Sequence, residues 1–100
     1  MNLEQFVIEN INHVAFAAGL DSSDEDTKNQ VKLLMESGIE DMISNGVSEQ
    51  IITTKKLAVI TLVQYVIDNM TSTPGGFVSS RVFQANVQKL KYLPLPESQT

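Results

Sequence analysis

The sequence predicts an all-α protein, a small bundle of about four helices with a Pro-rich extended C-terminal tail. Three observations carry this. Apolar residues recur three and four positions apart through most of the chain, the spacing that gathers them on one face of a helix. Strong stop signals separate the runs: Gly19, Asn45-Gly46, Pro74-Gly75-Gly76 and Pro94. The segment richest in β-branched residues lies within a stretch from Glu49 to Asn69 that has no turn signal, far longer than an ordinary strand of about 5–6 residues. A chain of 100 residues has room for one core, so it divides into a helical domain over 1–92 and a tail over 93–100.

The first helix is predicted from Leu3 to Ala18. Leu3, Phe6, Val7, Ile11, Val14, Ala15 and Ala18 share a face, with Asn10 the polar exception. Asn2 is the expected N-cap and Gly19 the left-handed residue past the end. The second helix is predicted from Asp24 to Ser44. Ser22 with Glu25, or Ser23 with Asp26, has the spacing of a capping box, and the acids of the first turn face the positive end of the helix dipole. Its expected inward stripe is Val31, Leu34, Met35, Gly38, Ile39, Met42 and Ile43. A glycine on that stripe costs up to about 1 kcal/mol in helix propensity, which a close helix crossing would explain. Asn45-Gly46 is expected to end the helix as a left-handed pair.

The third helix is predicted as one piece from Glu49 to about Met70, capped by Ser48. Nine of the eleven residues from Leu57 to Ile67 are apolar and six are β-branched. A strand is the alternative that length rejects, and a helix apolar on nearly every side belongs at the centre of its bundle. Thr71 to Ser80 reads as a loop, with Phe77 and Val78 able to add a short extended piece. A last helix begins at Ser79 or Ser80 and turns Val82, Phe83, Val87 and Leu90 inward until Pro94 and Pro96 stop it.

Composition excludes several classes of function. The chain has no cysteine, hence no disulfide framework, thiolate nucleophile or cysteine metal site. Leu57–Ile67 is too short for a membrane span of roughly 20 residues, and Met1 to Gln5 lack the basic region of a secretory signal. Net charge is −5, unlike domains that bind by neutralising phosphates. That charge is unevenly placed. Residues 1–50 hold ten acids and two bases, a net of −8, while residues 51–100 hold two acids and five bases, a net of +3. Opposite halves can balance within one fold or attract between copies.

No motif selects an active site. Counted as an EF-hand from Asp21, the loop would need glycine at its sixth position and glutamate at its twelfth; it has Asp26 and Lys32. His13 is the single histidine, and no spacing supplies it with fellow metal ligands or a nucleophile, so it reads as an ordinary helix-surface or half-buried residue. Pro74-Gly75-Gly76 lacks the Gly-Lys-Ser/Thr of a phosphate loop. Lys55-Lys56 and Lys89-Lys91 are modest pairs with few aromatics interleaved, a weak nucleic-acid footprint. Neither a catalytic residue nor a cofactor or metal site is expected, and the chain does not read as an enzyme.

The order of segments is more informative. An acidic turn, Asp21-Ser22-Ser23-Asp24-Glu25-Asp26, precedes the amphipathic Val31–Ile43 helix and its Asn-Gly break. Then come Thr54-Lys55-Lys56-Leu57-Ala58-Val59-Ile60-Thr61-Leu62-Val63-Gln64-Tyr65-Val66-Ile67-Asp68-Asn69, the Pro-Gly-Gly loop, and a helix ending Val87-Gln88-Lys89-Leu90-Lys91-Tyr92. Over about residues 20 to 92 this resembles the head–tail connector, or adaptor, proteins of tailed bacteriophages. That family commonly carries aromatic residues and an arginine near the end of the third helix, where this chain has Tyr65, Asp68 and Asn69.

The resemblance implies a non-enzymatic structural protein of the virion neck, assembled in the host cytoplasm, with no cofactor and no membrane partner. Such proteins form a ring, typically of twelve copies, below the portal protein. The ring extends the channel through which DNA passes without specific binding, and it receives a stopper or tail-completion protein. Similar proteins engage the portal by a terminal segment, which makes Leu93, Pro94, Leu95 and Pro96 the candidate here. A head-to-tail ring needs two different complementary faces on each copy. The charge halves suggest Glu36, Glu40 or Asp41 of one copy against Lys55, Lys56, Arg81 or Lys89 of the next. The alternative reading is a small helical regulatory or peptide-binding module with a partner in an interhelical groove.

Overall fold

The computed structural model describes residues 1–70 and 78–95. Among them lie five helices: α1 (Leu3–Ala17), α2 (Glu25–Ser44), α3 (Glu49–Thr54), α4 (Lys56–Met70) and α5 (Arg81–Lys91). The Pro-Gly-Gly loop and Pro96 lie outside the described residues.

Local chemistry sets most helix ends. The Asn2 side chain accepts the Gln5 amide at 2.7 Å and caps α1. Past its end, Gly19 takes φ +79° while the Leu20 amide returns to Ala15 O and the Gly19 amide to Phe16 O. This pair of bonds satisfies carbonyls that the last turn would leave open. The same closure ends α2, with Gly46 at φ +100° and the Val47 amide on Met42 O. Only Gly46 is left-handed there; Asn45 keeps φ −92° and turns its side-chain amide back to Asp41. The N-cap of α2 is Asp24, in place of Ser22 or Ser23. Ser48 caps α3 as the sequence predicts, and Ser80 caps α5, whose first helical residue is Arg81, just past the two expected starts.

The predicted single third helix is two. Lys55 is extended (φ −102°, ψ 130°) and separates α3 from α4. No glycine or proline causes this. The Lys55 amide still bonds to Ile51 O at 3.0 Å and closes α3, and the Ala58 amide on Lys55 O at 3.0 Å opens α4. The residues concerned, Ile51-Ile52-Thr53-Thr54, are all β-branched and gain little from helix propensity.

Helices α1, α2 and α4 pack mutually, α3 lies on α4 and α1, and α5 packs on α4. The start of α1 runs beside Glu36–Glu40 and its middle beside Glu25–Lys32, so α1 and α2 are antiparallel. Central α4 touches every other helix. At its crossing with α2, a Cβ on Gly38 would stand 2.8 Å from Leu62 Cδ2 and 3.3 Å from the Tyr65 ring. Tyr65 also meets Ser37 Oγ at 2.8 Å through its hydroxyl and stacks at a tilt on buried Phe83, with centroids 4.9 Å apart. The Asn69 side chain donates to Tyr65 O and Val78 O and accepts the Val78 amide, fastening the approach to α5 onto the end of α4.

Two predicted core residues face outward. Ile43 and Val82 are exposed, because each sits at the edge of its helix's apolar stripe, beyond the reach of the neighbouring helix. Leu93 packs partly against the core, whereas Pro94 and Leu95 are exposed and non-helical.

Candidate assembly surface

Glu36 and Glu40 stand one turn apart on exposed α2. With Glu4 they rim a groove between α1 and α2 whose apolar walls are Leu3, Val7 and Ile39. Asp41, half-buried, faces elsewhere and accepts the Asn45 amide at 2.8 Å. It closes the end of its own helix.

The basic residues occupy two places. Half-buried Lys55 and exposed Lys56 form the corner between α3 and α4. Lys56 lines a second groove, between α4 and α1, with Val59, Ile60, Asn10 and His13. Arg81 opens α5 and Lys89 lies in its last turn, both exposed. At 1.5 Å per residue they are about 12 Å apart along the helix.

The acidic and basic groups thus sit on different helices. Among the described residues no ion pair within 4 Å joins them. The acidic turn is organised by neutral partners. The Asp21 carboxylate accepts the Ser23 hydroxyl at 2.7 Å and its amide at 3.0 Å; Asp24 accepts the Thr27 hydroxyl at 2.6 Å and amide at 3.0 Å. These bonds, the hydroxyl first in each case, hold both carboxyls below their ordinary range.

The sequence does not single out the aliphatic surface beside these charges. Ile60 is 58% exposed and Ile67 42% on α4; Leu33 is 53% exposed and Ile43 45% on α2. The available signal was the excess of apolar residues in Leu57–Ile67 over what a single inward stripe requires. Exposed His13 lies at the α1–α4 groove, among neutral and basic neighbours. Among the described residues no group of three or more His, Asp or Glu side chains converges on a point, and no helix is long and apolar enough to cross a membrane. What this surface offers is charge-directed and apolar contact.

No protein-family model, curated protein or solved structure matches the chain.

Proposed function

We propose that the chain is a structural protein of a phage neck, forming a ring of about twelve copies under the portal, the closed head-to-tail symmetry such a reading requires. The ring extends the DNA channel and joins the capsid to stopper or tail-completion proteins. The observation that carries this is the separation of exposed Glu36 and Glu40 from exposed Lys56, Arg81 and Lys89 with no ion pair joining them among the described residues. Charges of opposite sign left unpaired on different helices are available to a neighbour. The resemblance over about residues 20 to 92 supplies the phage context, and the net charge of −5 suits a channel that lets phosphates slide. Pro94 and Leu95, exposed after Leu93 anchors the chain, serve as the start of the portal-binding tail.

The test mixes the purified chain with the portal-type protein encoded beside it and follows assembly by light scattering and negative-stain microscopy. Rings on the portal are expected, lost or weakened in Lys55→Glu/Lys56→Glu. Absence of any bound ring refutes the reading, and unchanged assembly of the double variant refutes the charge pairing. A second reading, a module for a basic peptide or helix, is favoured by the acid-rimmed α1–α2 groove. Genes for a portal and capsid just upstream separate the two.

A further inference from the structure

Central α4 is packed by every other helix, yet Ile60 and Ile67 on it stay exposed. Lys56, Ile60, Val63 and Ile67 follow at i, i+4, i+7 and i+11, which places them in one stripe about 16 Å long. Ile60 and Ile67 are exposed and Val63 is half-buried. Along the start of this stripe runs the groove to α1, with His13 and Asn10 on its far wall. The Asn10 amide is engaged by Phe6 O at 2.9 Å. Among the described residues, the charged and titratable groups at this groove are Lys56 and His13, and no carboxylate lines it.

A second stripe has the opposite character. On α2, Leu33, Glu36, Glu40 and Ile43 follow at i, i+3, i+7 and i+10, across from the buried Val31, Leu34, Met35, Gly38 and Met42 and bordered by buried Ile39. Four exposed residues make a ridge about 15 Å long, with an aliphatic residue at each end and two carboxylates between. The two stripes carry opposite charge, and each adds exposed aliphatic surface beside it. The geometry points to a contact between copies: the outer ridge of α2 from one copy lies antiparallel on the Lys56 end of the α4 stripe in the next, with Glu36 and Glu40 straddling Lys56 and facing His13 and with Leu33 packed on Ile60. The two surfaces belong to different helices, so the contact is heterologous and can repeat from copy to copy. It narrows the charge pairing of the ring reading, on which it rests for its closure, to Glu36 and Glu40 with Lys56.

Because the chain has no cysteine, Leu33→Cys and Ile60→Cys can be introduced singly and together at exposed positions. Circular dichroism checks that each variant remains helical. The double variant is oxidised at about 1 mM, where even a millimolar contact is substantially occupied. A ladder of dimers, trimers and higher species that needs both cysteines is the expected result. Adding Lys56→Glu, or Glu36→Lys/Glu40→Lys, is expected to lower the ladder about two- to fivefold, the scale of partly exposed charge pairs, and all three together to restore it. Dimers from either single cysteine variant that equal the yield of the double variant would show a self-paired face and overturn the inference. So would a double variant that stays monomeric. The outcome is separable from that of the phage reading. A ladder without rings on the portal rejects the neck assignment and keeps the contact, whereas rings whose cysteines do not cross-link reject the contact and keep the assignment.

Discussion

Gly38 offers the sharpest test of the packing, because two effects of known sign oppose each other there. In an exposed helix, replacing glycine by alanine stabilises by about 1 kcal/mol through backbone entropy. Gly38 has helical dihedrals, so no backbone strain opposes the change. The opposition is steric. The new Cβ would lie 2.8 Å from Leu62 Cδ2 and 3.3 Å from two atoms of the Tyr65 ring. Leu62 is fully buried, and Tyr65 is held by Ser37 and Phe83, so neither can swing aside freely. Overpacking of this kind costs about 1–3 kcal/mol. Gly38→Ala is therefore expected to destabilise by about 0–2 kcal/mol, centred near 1 kcal/mol, or roughly 4–8 °C in Tm for a chain this size. Urea titration with far-ultraviolet dichroism measures it. A double-mutant cycle with Leu62→Ala isolates the cause: the leucine truncation alone should cost about 2–5 kcal/mol. In the Gly38→Ala background it should cost at least about 1 kcal/mol less, because the added methyl occupies part of the space vacated. Stabilisation by the full propensity gain, or an additive cycle, would refute the close crossing of α2 and α4.

Three further outcomes follow from the caps and the α4–α5 clamp. Gly19→Ala has open space around its new Cβ but must hold φ +79°, so it should lose about 1 kcal/mol by thermal denaturation, with Gly19→Asn losing less. Asp21 and Asp24 have folded-state pKa values below the ordinary 3.8, so their ionised forms stabilise the fold above that value and the contribution is lost as pH falls through the lowered values. Asp24→Asn keeps the cap without titrating, and its loss of stability between about pH 5 and pH 3 should be shallower than that of the parent. Asn69→Asp replaces a donor to Tyr65 O and Val78 O by a carboxylate facing two carbonyls; faster amide exchange at Val78 and through the first turn of α5 is expected, with a stability loss of about 1–3 kcal/mol.

The helix ends legible in the sequence were those set by a single residue acting on its neighbours. Asn2, Gly19 and Ser48 each do locally what their chemistry favours. Asp24 was obscured because Ser22, Ser23 and Asp24 all carry cap chemistry, and only the course of the chain through the Asp21 turn selects among them. The break at Lys55 was obscured because no breaker residue marks it; Ile51-Ile52-Thr53-Thr54 before it are all β-branched, residues that gain little from helix propensity. Stripe edges such as Ile43 and Val82 depend on how far the facing helix extends. The candidate surface was legible as charge and illegible as shape. Glu36, Glu40 and Lys56 could be named from their halves of the chain, but that Asp41 bonds to Asn45, or that Lys56 borders a groove with His13, is decided by packing.

The separation of charge has an energetic consequence. Among the described residues no ion pair within 4 Å joins the acids of the first half to the bases of the second. Exposed pairs would add only about 0–1 kcal/mol each to folding, so monomer stability supplies little reason for either arrangement. Between molecules the same charges act differently. Beyond a Debye length of about 8 Å they are screened, so at physiological salt their attraction selects which faces meet at short range. Holding those faces together requires a second, salt-insensitive contribution. Ile60 on one side and Leu33 on the other lie beside the charges that would align them. Added salt should therefore slow the encounter of the two stripes more than it weakens the contact once made, whereas an assembly held by charge alone would come apart as salt rises.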